Sequence, residues 1–341
     1  MRKLSLTAGM LLVAMPGVSQ AHVKWFCAYD TTVPPLPIRD VITPTFLAVA
    51  GLFCGLMFTA YFIDRVVDTS IWAKRFDNAI FRSDACTSTI IRVAVGILFL
   101  VLWESGGIIL TPELNTTSNV VPWLQLAIAA SMLSRSTLKY GAAGIMLLYV
   151  YAIADYGAFH LMDYPIFPGI AVYLALTSVE NPQFRALRMP VLYASVAVTM
   201  MWGAIEKFGY PYWTFPLLTT HADLTLGFSF DQFMYIAGFV EFSLAFFMLT
   251  GTALLRWACA ALLLLMTSAI PEFGKVDAIG HLLIIASLLA MIIAGQRTIQ
   301  LPPALARAGV LKQASILTLG YSATVVVSFA LYYSSQFLAG R

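Results

Sequence analysis

Charge is what this sequence has least of. Lys, Arg, Asp and Glu make up 11% of the 341 residues, against 60% hydrophobic. A water-facing surface of ordinary polarity carries about 25–35% charged residues. The chain cannot cover a soluble globule with such side chains, and its composition class is membrane. Cysteine is sparse too, with four in the chain. Cys27, Cys54, Cys86 and Cys259 form no Cys-x-x-Cys pair, and their scatter between apolar and extramembrane stretches gives no disulfide framework. They read as small core hydrophobes, with Cys27 alone worth testing for reactivity. There is no Gly-rich nucleotide loop, no Cys-x-x-Cys-His haem attachment motif and no serine nucleophile elbow, so nucleotide, c-type haem and hydrolase chemistry lack support. Basic residues do not cluster with aromatics, and nucleic acid is not an expected partner.

What is plentiful is apolar sequence in long runs. Met1-Arg2-Lys3, the stretch from Leu4 to Val18, and Ser19-Gln20-Ala21 form the charged start, apolar middle and small-residue end of a cleavable signal peptide. Removal of residues 1–21 would leave His22 at the mature N-terminus and 22–41 as a periplasmic segment. Apolar runs at 42–62, 91–111, 121–135, 140–157, 164–180, 189–206, 231–250, 253–271, 278–294 and 314–335 predict about ten transmembrane helices in the lipid bilayer. Arg65, Lys74, Arg75, Arg82, Arg135, Lys139, Arg185, Arg188, Arg256, Arg297, Arg307 and Lys312 fall on one side of that arrangement. Only Lys24, Arg39, Lys207, Lys275 and Arg341 fall on the other. Positively charged loops resist translocation, so the first set is expected in the cytoplasm and both mature termini in the periplasm of a bacterial inner membrane.

An internal echo runs through the middle of the chain. Ala152-Ile153-Ala154-Asp155-Tyr156-Gly157 matches Ala269-Ile270-Pro271-Glu272-Phe273-Gly274, and upstream of each lies a helix ending in a Trp and an acid, Trp103-Glu104 in one and Trp202 with Glu206-Lys207 in the other. The expected organisation is all-α: a first helix and cytoplasmic loop at 42–90, four-helix repeats of like orientation at 91–188 and 189–296, then a cytoplasmic loop and last helix at 297–341. Repeated membrane units commonly place a site near their interface. In the second copy, Trp202, Glu206, Lys207, Phe208-Gly209-Tyr210, then Gly238-Phe239-Val240-Glu241 and Leu249-Thr250-Gly251 together resemble the DoxX/DoxD-like membrane family. The resemblance covers 189–294 well and 91–180 more loosely, where Gln125 stands near the place of Glu241 and no lysine follows Glu104. It implies four-helix units and, through the DoxD branch, quinone-linked oxidation of sulfur compounds. A fold alone does not assign a reaction.

All four histidines, His22, His160, His221 and His281, fall on or near the predicted periplasmic side. Asp155, Asp163, Glu206, Asp223, Glu272 and Asp277 lie there too, although Asp64, Asp68, Asp77, Asp84 and Glu180 sit on inner loops. Glu206, Lys207, Glu241, Glu272 and Asp277 are the candidate catalytic residues. Asp277 and His281, four apart, share a helix face, where the carboxylate either tunes the imidazole for proton or metal chemistry or satisfies it within packed helices. Lys207 and Glu241 are either part of a site or one structural ion pair. A terminal His22 would offer an amine and a ring nitrogen to Cu(II), resembling the histidine brace of copper oxygenases and periplasmic copper carriers, with further ligands from His160, His221 or His281. Trp202, Tyr210 and Trp213 either belong to an interfacial aromatic belt or floor a pocket for a quinone ring.

Two classes of function follow. One is a periplasm-facing membrane oxidoreductase, or an accessory subunit meeting a redox partner, that uses copper or quinone. The other is a non-enzymatic metal-handling or assembly protein using the same histidines without turnover. Transport ranks last, because the centres of the apolar runs are nearly free of charge.

Overall fold

The computed structural model describes residues 23–27, 33–68, 70–71, 75, 79–80, 84–295 and 308–338. The expected signal peptide and His22 lie outside these residues. Among the described residues there is no strand, and the principal helices are α1 (Pro44–Asp68), α2 (Asp84–Ser105), α3 (Val121–Ser131), α4 (Leu138–Tyr156), α5 (Ile166–Ser178), α6 (Arg188–Gly209), α7 (Phe230–Thr250), α8 (Leu254–Ser268), α9 (Ile270–Ala294) and α10 (Val310–Leu338). Every predicted apolar run falls on one of them. Seven are long and apolar enough to cross a membrane, namely α1, α2, α4, α6, α7, α9 and α10, while α3, α5 and α8 are shorter apolar helices. The 25 residues of α1 reach about 37 Å, more than a hydrocarbon layer of about 30 Å. The 11 residues of α3 reach about 17 Å.

The molecule is a membrane helical bundle with an apolar exterior. Leu47, Leu52, Leu56 and Ile63 of α1 and Leu319, Val326, Val327 and Leu331 of α10 are exposed, a surface suited to lipid rather than water. Helices α2 to α9 pack in chain order, each on the next, and α9 closes back against α2 to complete a ring. Across it, α6 also meets α9, where the Tyr193 hydroxyl donates to the Met291 carbonyl at 3.0 Å. Outside the ring, α1 and α10 pair with each other, α1 also lying against α7 and α10 against α6. Small residues bring the backbones together. An added Cβ at Gly144 would overlap Ile128, at Gly169 Ser195, and at Gly238 the Phe208 ring. Lipid gives helices no hydrophobic drive to associate, so close approach of this kind supplies the packing.

Glycines stand at two of the boundaries that shift. The span predicted at 91–111 is instead α2, which stops at Ser105 because Gly106 and Gly107 take φ of 63° and 70° and lead into a hairpin. The residues between the spans predicted at 253–271 and 278–294 are helical, since α9 begins at Ile270 and runs through a kink at Gly274, φ 68°. Gly157, the matching glycine of the other hexapeptide, ends α4 with φ 86°. Both need a backbone region that a Cβ strains.

Candidate functional site

The junctions α4–α5, α6–α7 and α8–α9 lie at one end of the ring, which we call the histidine end because His160, His221 and His281 occupy it. The hairpin after α2 turns an acid into the bundle there. Thr116 N–H donates to Gly107 C=O at 2.9 Å, and Ile109 N–H to Leu114 C=O at 2.7 Å. Buried Gln125 donates from Nε2 to the carbonyls of Ile108 and Ile109. The Tyr156 hydroxyl accepts from Asn115 N–H at 2.7 Å and donates to its carbonyl at 2.9 Å. So held, Glu113 points inward. Its Oε1 lies 3.0 Å from His160 Nε2, the geometry of an imidazole N–H donating to a carboxylate, and accepts from the Tyr164 hydroxyl. Its Oε2 is buried without a hydrogen-bond partner among the described residues.

His160 stands on the single helical turn Ala158–Leu161, created where Gly157 stops α4. Tyr149 fixes that turn by donating to the Leu161 carbonyl at 2.6 Å, and Tyr156 stacks on the imidazole with ring centres 5.7 Å apart. Asp163 follows on the same connection. One oxygen or nitrogen from each of Glu113, His160 and Asp163 can be chosen so that all lie within 4.8 Å of one another.

The segment Val23–Cys27 docks into this end. Lys24, 7% exposed, pairs with Asp163 and reaches Glu206 Oε2 at 2.8 Å, joining the α4–α5 connection to the end of α6. Burial disfavours its ammonium form, but the charges of Asp163, Glu206 and Glu113 outweigh that penalty, and its pKa is raised above the ordinary lysine value. The next residue points the other way. Trp25 lies on Gly280, where an added Cβ would overlap the indole, and beside His281 with ring centres 4.8 Å apart. Phe26 meets Phe273 at 4.9 Å. Further along, Leu36 N–H donates to the Gly209 carbonyl, and the Tyr210 hydroxyl donates to Val33 C=O. The expected periplasmic segment therefore threads among helix ends wherever it is described.

Each described histidine has its own carboxylate. His281 Nδ1 is 3.1 Å from Asp277 Oδ1, an ion-pair separation without hydrogen-bond alignment, and Asp277 is fully buried. His221 Nδ1 is 3.3 Å from Glu272 Oε1 in a much more open setting. Of His160, His221 and His281, the expected sources of a further ligand beside His22, His160 belongs to a close group of three ligating residues among those described. Lys207 Nζ and Glu241 Oε2 pair at 2.8 Å. Tyr210 and Trp213 stack on each other at 3.9 Å, so each covers one face of the other, and Lys24 Nζ lies 5.4 Å from the Trp213 ring centre. Trp202 is buried against Phe159 and Tyr332. Burial pushes the Cys27 thiol pKa up and so favours the unreactive thiol form, against a smaller opposing effect of a backbone hydrogen bond with Leu217.

Sequence reasoning passed over Glu113, and it did not select Lys24 or Asp163 as site residues. Lys24 did carry a signal, as a lysine on the side poor in positive charge, set between Val23 and Trp25. Glu113 carried none that periodicity could find, because it sits in a hairpin. Compared with known proteins, the chain matches no family model, no curated protein and no solved structure.

Proposed function

We propose that this chain is a bacterial inner-membrane protein with its histidine end in the periplasm, serving a copper-linked oxidation as an oxidoreductase or as the accessory subunit of one. The observation that carries the reading is the docking of Val23–Cys27, whose Lys24 bridges Asp163 and Glu206 deep in the bundle. If a signal peptide is cleaved after Ala21, the new terminus, with the amine and imidazole of His22, lies two residues from that anchor. Nitrogen donors of this kind suit Cu(II). The resemblance to DoxX/DoxD-like proteins supports two tandem four-helix units, α2 to α5 and α6 to α9, with α3, α5 and α8 completing ten crossings. The equivalent positive-φ glycines, Gly157 and Gly274, favour the same division. Quinone remains the alternative redox partner through that resemblance, although Tyr210 and Trp213 each cover one face of the other.

A second reading, metal handling or assembly without turnover, is favoured by the closure of the site: Lys24 fills the space between the acids. The test is the N-terminal residue of the purified chain, its copper content with and without His22→Ala, and oxidation of a short-chain quinol by the reconstituted protein. The oxidoreductase reading expects His22 first, copper lost in the variant, and turnover dependent on that copper. Copper without turnover in any partner-supplemented membrane selects the second reading. A different mature terminus, or equal copper in both proteins, overturns both.

A further inference from the structure

We infer that Glu113, His160 and Asp163 form a binding site for one divalent first-row cation of the Mn(II), Fe(II) or Zn(II) class, separate from any copper at His22. This deepens the reading of the histidine end as functional and rests on it only for physiological role, since the site itself is argued from geometry.

Three observations carry it. The chosen ligand atoms stand within 4.8 Å of one another, and ligands held at about 2.1 Å around one tetrahedral ion are about 3.4 Å apart, so closure takes roughly an ångström and a half at most. Glu113 is 8% exposed, and its Oε2 is buried with no hydrogen-bond partner among the described residues. A buried carboxylate oxygen normally has one, and a cation would satisfy it. Among the described residues, Glu113, Asp163 and Glu206 are three acids sharing buried surroundings with the ammonium of Lys24 and the imidazole of His160, and buried carboxylates beyond the cations that face them demand a proton, a charged imidazole or a bound ion.

The donor set decides the ligand class. One imidazole nitrogen and two carboxylates, without sulfur, suit borderline to hard divalent ions and not Cu(I). The ligands are already oriented, since Tyr164 donates to Glu113 Oε1 and Tyr156 stacks on His160. Lys24 is then an internal competitor. Its ammonium holds Asp163, and an arriving ion would displace it towards Glu206, where it already has a contact.

The test uses the full chain in lipid nanodiscs, titrated with Mn(II) and followed by electron paramagnetic resonance. The proposal expects one tightly bound Mn(II) per chain with coupling to a single imidazole nitrogen. Glu113→Gln and His160→Ala should weaken binding at least tenfold, whereas Lys24→Met should tighten it. Asp155→Asn, removing an exposed acid at the same end, should change nothing. If His160→Ala fails to fold, the nitrogen coupling in the unaltered protein and the near-isosteric Glu113→Gln still decide. Absence of tight binding, absence of nitrogen coupling, binding unaffected by Glu113→Gln, or equal loss in Asp155→Asn overturns the site. His22→Ala separates the two ideas, because it should retain Mn(II) even where the copper reading fails.

Discussion

The two ends of the bundle use charge for different ends. At the end opposite the histidines, arginines tie off helix termini. Arg92 donates from Nε and Nη2 to the Met132 carbonyl at 2.9 and 2.6 Å, just past α3, Arg135 donates to Thr177 near the end of α5, and Arg256 donates to Ile292 near the end of α9. Asp64 of α1 does the converse, accepting from the N–H groups of Thr252 and Leu254 where α8 begins. Helix ends leave backbone groups unsatisfied and carry partial charges that these side chains meet, so the arrangement is explained by folding alone. At the histidine end ionisable side chains face one another instead: Lys24 with Asp163 and Glu206, His160 with Glu113, His281 with Asp277. Buried pairs of that kind return little net stability over apolar packing. A fold had no need of them, which is why the second end, and not the first, reads as a site.

The comparison breaks most easily at Lys24. Lys24→Met leaves Asp163 and Glu206 buried without their cation, a change expected to cost about 3–5 kcal/mol. Thermal unfolding in nanodiscs measures it, and a loss near 1 kcal/mol would make the two ends energetically alike. The pH dependence follows from the raised lysine pKa. Because the folded value exceeds the ordinary 10.5, the contribution is fully present below that pH and disappears only as pH climbs through the folded value. The stability gap between the native chain and Lys24→Met should therefore not shrink from about pH 7 to 9, and it should widen as the two acids left without their cation ionise in the variant. A gap that shrinks over that interval would mean that the ammonium is not the bridging species.

Apolar run length made the helices legible, because lipid leaves a spanning segment no alternative to internal hydrogen bonding. The pairing of Asp277 with His281 was legible too, being local to one helix face. Closure of α9 on α2 was not, since it depends on shapes where helices meet rather than on any periodicity. Glu113 was hidden for a related reason: what turns it inward is Tyr156, 43 positions away in sequence and joined to the hairpin only through Asn115. The matching hexapeptides spoke more clearly than their chemistry suggested. Their glycines mark backbone breaks, one ending α4 and placing His160, the other kinking α9 ahead of Asp277 and His281.

Docking of the N-terminal segment supplies the next test. Gly280→Val would place a branched side chain where the Trp25 indole lies, and overpacking of this kind costs about 1–3 kcal/mol. The expected result is release of Val23–Cys27, read as protease sensitivity ahead of α1 and a red shift in tryptophan emission, with the rest of the ring intact. Unchanged protection would show that Lys24 alone holds the segment. The smallest effect belongs to the opposite end. Arg256→Met removes a donor from the Ile292 carbonyl, a hydrogen bond worth about 1 kcal/mol. Gly295 lies against the Arg256 side chain with φ 56°, so the variant also leaves a gap over the end of α9. Metal binding at the histidine end should not respond to it. If it does, a disturbance at the end of α9 reaches Glu113, His160 and Asp163, and the two ends act as one coupled unit rather than as a structural base and a separate site.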